Sequence, residues 1–219
     1  MRPIYLILIS LGLLSGRADI LAQAADEIPP PKPPFVKAVP ENAQWTVTAD
    51  FKAEPKPSPD APKHHDWRCA EVQTTKVGKV KRDLITTRDG LKQEHWFVDG
   101  MLYWTNAQGE VSVTDMRAAE ASDPEEDSPS IPSGFPGVGW LKLENYAGVE
   151  VFEKQRCYHF AKDGAEAWID VETKLPVGYR RGKVLYRFTF AEVPSGPLAM
   201  PPAYQTALDT MRRMYGIRK

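Results

Sequence analysis

Only two cysteines and four histidines occur in this chain of 219 residues. The cysteines are not spaced as C-x-x-C, so the thiol-pair redox and metal motifs are missing. No serine sits on a G-x-S-x-G turn, which removes the usual acyl-transfer elbow. The glycine-rich run SGFPGVG is broken by Pro136 and lacks a following Lys-Ser or Lys-Thr, so no loop of converging N–H groups can cradle a phosphate. Charge of one sign is not in excess: the net charge is -1, and no broad basic field exists to release counterions from nucleic acid. With 42% hydrophobic and 26% charged residues, the chain is neither a disordered polyelectrolyte nor a multi-pass membrane protein. Proline, by contrast, is plentiful, with 20 in all and ten of them between Pro29 and Pro62.

The N-terminus opens with Arg2, an apolar run from Ile4 to Leu14, and small or polar residues ending in Ala22-Gln23-Ala24-Ala25. That is the layout of a secretory signal peptide over residues 1–24, with an apolar core too short for the roughly 20 residues of a membrane-spanning helix. No cysteine follows the cleavage region to carry a lipid. The sequence therefore predicts a periplasmic or secreted protein with no transmembrane segment after cleavage. In such a compartment Cys69 and Cys157 are expected to form a disulfide, whose loop closure would contribute about 4.5 kcal/mol in the chain-entropy model. Residues 25–42, containing IPPPKPP, read as an extended proline-rich spacer.

Residues 43–216 read as a single antiparallel β domain with mobile loops at 54–66 and 118–137. In QWTVTADF, Trp45, Val47, Ala49 and Phe51 alternate with polar residues at the period of a half-buried strand. Turn signals then recur at Asp89-Gly90, Asp99-Gly100, Gln108-Gly109, Asp163-Gly164 and Arg181-Gly182, between segments rich in β-branched and aromatic residues. The acidic run Glu120, Asp123, Glu125, Glu126, Asp127 reads as a solvated loop and matches no EF-hand spacing. After Pro201-Pro202, the spacing of Tyr204, Ala207, Leu208, Met211 and Tyr215 changes to that of a helix, with Gly216 as its stop. The fold class is mainly β with a minor α component.

Chemistry-bearing clusters are sparse. His64-His65-Asp66 offers adjacent ligand types, but adjacency does not converge lone pairs on a metal, so no metal site is assigned. His95 and His159 read as strand residues. Asp83, Glu94, Asp170 and Glu172 are carboxylates that a hydrolase could use, although nothing pairs them at the separation glycoside hydrolysis requires. No cofactor motif and no catalytic residue is assigned. The positive signal is aromatic: Trp96, Trp104, Trp168, Tyr186 and Phe188 all fall in predicted strands. Adjacent strand residues point to opposite faces, so Trp96-Phe97 and Tyr103-Trp104 require cover on both. A helix, a loop, a partner or an apolar ligand could supply it.

The string AEAWIDVETKLPVGYR, followed by KVLYRFTF, resembles a hairpin of the bacterial LolA, LolB and LppX-like half-barrel carriers. There a strand carrying W-[IV]-D is followed by a turn and L-P, as in Trp168-Ile169-Asp170 and Leu175-Pro176 here. The likeness covers about residues 149–200. It implies a strongly curved antiparallel sheet, half-barrel-like, whose concave face holds a lipid-like ligand, with Trp96, Trp104, Trp168, Tyr186 and Phe188 as wall positions. Asp170 is expected to hold the turn by accepting its backbone N–H groups. An envelope scaffold with a protein partner and no cavity, and third a hydrolase, are the competing readings.

Overall fold

The computed structural model describes residues 28–52, 66, 68–106, 109–117 and 134–216. The signal peptide, the His64-His65 pair, and most of the loops at 54–66 and 118–137 lie outside them. The alternating sequences form eleven strands among the described residues: β1 (Asn42–Asp50), β2 (Cys69–Val77), β3 (Val80–Thr87), β4 (Lys92–Val98), β5 (Met101–Thr105), β6 (Val111–Asp115), β7 (Tyr146–Phe152), β8 (Gln155–Lys162), β9 (Ala165–Asp170), β10 (Pro176–Arg181) and β11 (Val184–Ala191). One helix, α1 (Pro202–Tyr215), follows.

All eleven strands join one curved, open antiparallel sheet in the order β6-β5-β4-β3-β2-β1-β11-β10-β9-β8-β7. Two meanders flank β1, whose neighbours β2 and β11 come from opposite ends of the chain. Tight turns set the register. At Asp99-Gly100 and Asp163-Gly164 both residues have positive φ (55° and 74°, 50° and 81°), the two-residue geometry whose twist matches that of the strands it joins. No helix among the described residues is long and apolar enough to cross a membrane.

The registers place one set of side chains on the inner face and the alternate set on the outer. On the inner face Trp45, Val47, Phe188, Tyr179, Ile169, Phe160 and Tyr158 form the main core. Two segments cover it. Phe135, Val138 and Leu141 descend from residues 134–141, and Phe135 meets Trp45 and Phe188 edge-on at 5.2 and 6.0 Å. The proline-rich segment is the other. Instead of standing away as a spacer, it lays Ile28, Phe35, Val36 and Val39 against this core. Lys174 fastens it: Nζ donates to the carbonyls of Lys32 (3.0 Å) and Pro34 (3.2 Å), and Lys37 N–H donates to the Lys174 carbonyl (2.9 Å). Proline composition reports an extended backbone but carries no information on what that backbone docks against.

On the outer face two smaller cores sit at opposite ends of the sheet. Trp96, Val98, Met101 and Tyr103 are covered by Tyr204 and Leu208 of α1, the two periodic helix positions that are fully buried. Arg212 Nε donates to Asp99 at 2.8 Å and pins the far end of the helix, while Gly216 closes it at φ 66°. The second outer core joins Cys157, Trp168 and Val177.

The expected disulfide is not formed. Cys69 and Cys157 are both free thiols. Cys69 pairs with Thr87 and lies on the inner face of β2, whereas Cys157 pairs with Glu150 and Asp170 and lies on the outer face of β8. Five strand positions separate them in the sheet order. A disulfide needs Cα atoms within about 7 Å, and no strand rearrangement short of unfolding turns one of these side chains through the sheet. Burial pushes the Cys157 thiol up to about 12, so it is held as an inert apolar group.

Candidate functional site

Inner-face registers align one row of side chains across seven strands: Phe190, Trp45, Thr74, Asp83, His95, Trp104 and Ser112, contributed in turn by β11 and β1 through β6. Aromatic rings flank a polar centre. Asp83 is completely buried, and its Oδ1 accepts from Thr74 Oγ1 at 2.8 Å. Lys81, one inner-face position along β3, brings Nζ to 3.0 Å from Oδ2, with side-chain exposures of 6% and 0% for the lysine and the aspartate. The same ammonium lies 4.5 Å from the centre of the Phe97 ring. A buried ion pair of this kind costs desolvation on both partners.

His95 stands beside Asp83, its ring 6.4 Å from that of Trp104. Its Nδ1 is buried without a hydrogen-bond partner among the described residues. Burial lowers its pKa below the usual 6.5, opposed by the Asp83 carboxylate and reinforced by the Lys81 ammonium. The unfolded chain therefore binds a proton near pH 6.5 that the folded chain refuses, so stability is full above that pH and is lost as the pH falls toward the lower folded value. Melting temperature should drop between about pH 7 and pH 5, and His95→Gln should remove part of that drop. An unchanged profile in the variant would assign the acid sensitivity elsewhere.

The structure separates the five expected wall residues. Trp104, Tyr186 and Phe188 lie on the inner face. Trp104 is half-buried beside His95, Tyr186 stacks on Tyr179 at 4.4 Å, and Phe188 packs on Phe135. Trp96 and Trp168 lie on the outer face. Trp96 is sealed under α1, and Trp168 stacks between Phe152 at 4.2 Å and His159 at 5.4 Å. The indole N–H of Trp168 donates to Glu150, and the Arg180 guanidinium sits 5.3 Å over its ring. These contacts complete a local core.

Phe188 also borders a cavity of about 490 Å³ at the ends of β8 to β11, together with Phe190, Leu175, Val177, Asp170 and Thr173. One side is aromatic and aliphatic, the other polar. Asp170 fixes the polar side, its Oδ1 accepting from Thr173 N–H (2.7 Å), Thr173 Oγ1 (2.7 Å) and Glu172 N–H (3.2 Å). This is the turn-holding role its position implied. Sequence reasoning missed the Lys81–Asp83–Thr74 cluster. Its signal was the i, i+2 spacing of Lys81 and Asp83, which puts opposite charges on one strand face.

No protein-family model and no curated protein matches the chain. Among solved structures it is similar to the crystal structure of the Mycobacterium tuberculosis lipoprotein LppX, at 10% sequence identity and a TM-score of 0.42, over 74% of this chain and 90% of that chain.

Proposed function

We propose that this chain is an exported binding protein that holds an amphipathic, lipid-like ligand at the edge of its curved sheet, beside Phe188 and Phe190. The observation that carries the reading is the cavity of about 490 Å³ under Phe188 and Phe190, within the 300–1,000 Å³ range of small-molecule sites and lined by apolar side chains on one side and polar ones on the other. Phe190 supports it, since this large ring is still 37% exposed at the mouth while its neighbour Phe188 is buried. Farther along the inner face, Trp104 adds a half-buried ring beside His95. A role in the cell envelope follows from the predicted signal peptide and belongs to the same proposal.

Native mass spectrometry of the mature protein, purified without detergent from an exporting host, tests it. The expected result is an excess of several hundred daltons in the native spectrum that vanishes on denaturation, and that is lost when Phe188 is replaced by aspartate. A bare native mass would overturn the reading and favour an envelope scaffold with a filled core.

A further inference from the structure

The cavity of about 490 Å³ beside Phe188 and Phe190 carries charge of one sign. Asp170 and Glu172 line it, and no lysine, arginine or histidine among the described residues does. The chain as a whole has a net charge of -1, so this polarity is local to the cavity. It follows from the turn between β9 and β10. Asp170 Oδ1 takes the bonds of that turn, from Glu172 N–H, Thr173 N–H and Thr173 Oγ1, which leaves Oδ2 without a donor among the described residues. Glu172 enters the network through its backbone N–H alone. Its side chain is exposed and has no hydrogen-bond or ion-pair partner among the described residues.

Two neighbouring cations are held elsewhere. Lys174, in the same turn, donates from Nζ to the carbonyls of Lys32 and Pro34 at 3.0 and 3.2 Å. Arg187, two residues before Thr189 of the lining, is held by Glu153 at 2.7 Å and Asp50 at 3.1 Å. The other side of the cavity is apolar. The rings of Phe188 and Phe190 lie 11° from parallel with centres 6.3 Å apart, and Leu175 adjoins them in the lining. Carboxylates beside a low-dielectric wall focus a negative potential into the space they border. An anionic head would meet two like charges there with no counter-cation in the lining, whereas an ammonium head would be attracted by both.

Resting on the reading that this cavity is the binding site, we propose that its ligand is a cationic amphiphile, with an ammonium head on the side of Asp170 and Glu172 and an alkyl chain against Phe188, Phe190 and Leu175.

Calorimetric titration of the mature protein with dodecylammonium, dodecyl phosphate and hexaethylene glycol dodecyl ether, each below its micellar concentration, tests the assignment. Dodecylammonium is expected to bind about tenfold tighter than dodecyl phosphate, with the neutral ether between them, and the gap should narrow as salt is raised. Glu172→Gln should weaken dodecylammonium about threefold and leave the ether unchanged, and Glu172→Lys should reverse the order of the two charged heads. Both variants should melt as the parent does, because the Glu172 side chain has no partner to lose among the described residues. Equal affinity for the three, or a preference for dodecyl phosphate, would overturn the cationic head and leave the cavity as the binding site. A preference for dodecylammonium that survives Glu172→Lys would overturn its placement here. Binding of none of the three would overturn the cavity reading and this inference with it.

Discussion

Replacing Asp83 with leucine is expected to destabilise the protein by about 3–5 kcal/mol, the cost of leaving one member of a buried ion pair without its counter-charge. Lys81 would then keep its ammonium at 6% side-chain exposure beside the Phe97 ring without the Asp83 carboxylate. Thr74 would lose the acceptor of its 2.8 Å bond at the same time. In urea unfolding, at roughly 2 kcal/mol per molar, the midpoint should fall by about 2 M. The double variant Lys81→Met/Asp83→Leu should recover most of the loss, because apolar residues of similar volume escape the desolvation that the pair incurs. A double variant as unstable as the single would show that the pair is needed for folding. A stable double variant that no longer retains its ligand would place the pair in binding.

The pair illustrates where the sequence was readable and where it was not. Period-two alternation located β1 and β11, and the Asp-Gly turns located the hairpins, because both are local consequences of backbone geometry. The helix was equally legible, since Tyr204 and Leu208 are four residues apart and both are buried. What local pattern could not tell was which face is the inner one. On β4, Trp96 and Phe97 are adjacent and both buried, at 1% and 5% exposure, one beneath α1 and the other beside Lys81. Both faces of that strand carry apolar residues, so alternation gives no sign, and the answer depends on α1 docking from more than a hundred residues away.

The thiols were misread for the same reason. Export makes a disulfide chemically reasonable, but pairing depends on faces and strand order, and those are set by the topology around β1. Cys69 belongs to the meander before β1's second neighbour is made, Cys157 to the one after, and the two meanders never bring them together. The proline-rich segment failed in the opposite direction. It was assigned no tertiary role, yet Phe35 lies edge-on to Phe160 at 5.6 Å, and Lys174, in the left-handed region at φ 56°, turns toward the segment and holds it. Asp170 was readable because its partners are its own turn.

The two tryptophans of the neighbouring hairpin should respond in opposite ways to the same change. Trp96→Ala removes a side chain that is 1% exposed at the centre of the cluster joining β4, β5 and α1, and should cost about 3–5 kcal/mol. Tyr204 packs on the same cluster and shares a hydroxyl contact of 2.5 Å with Thr105, so the loss should loosen the helix first. Hydrogen exchange would show this as a selective gain in α1 amide exchange before global unfolding. Trp104→Ala acts on the other face, at a half-buried ring whose neighbour is His95 rather than a helix. Melting should shift only slightly there, while the native mass excess of bound ligand should fall. If Trp104→Ala melts as low as Trp96→Ala, the ring is core on both sides of the sheet and the inner-face site loses one wall. If Trp96→Ala leaves α1 protected, the helix is held by Arg212 and Asp99 and not by the aromatic cluster.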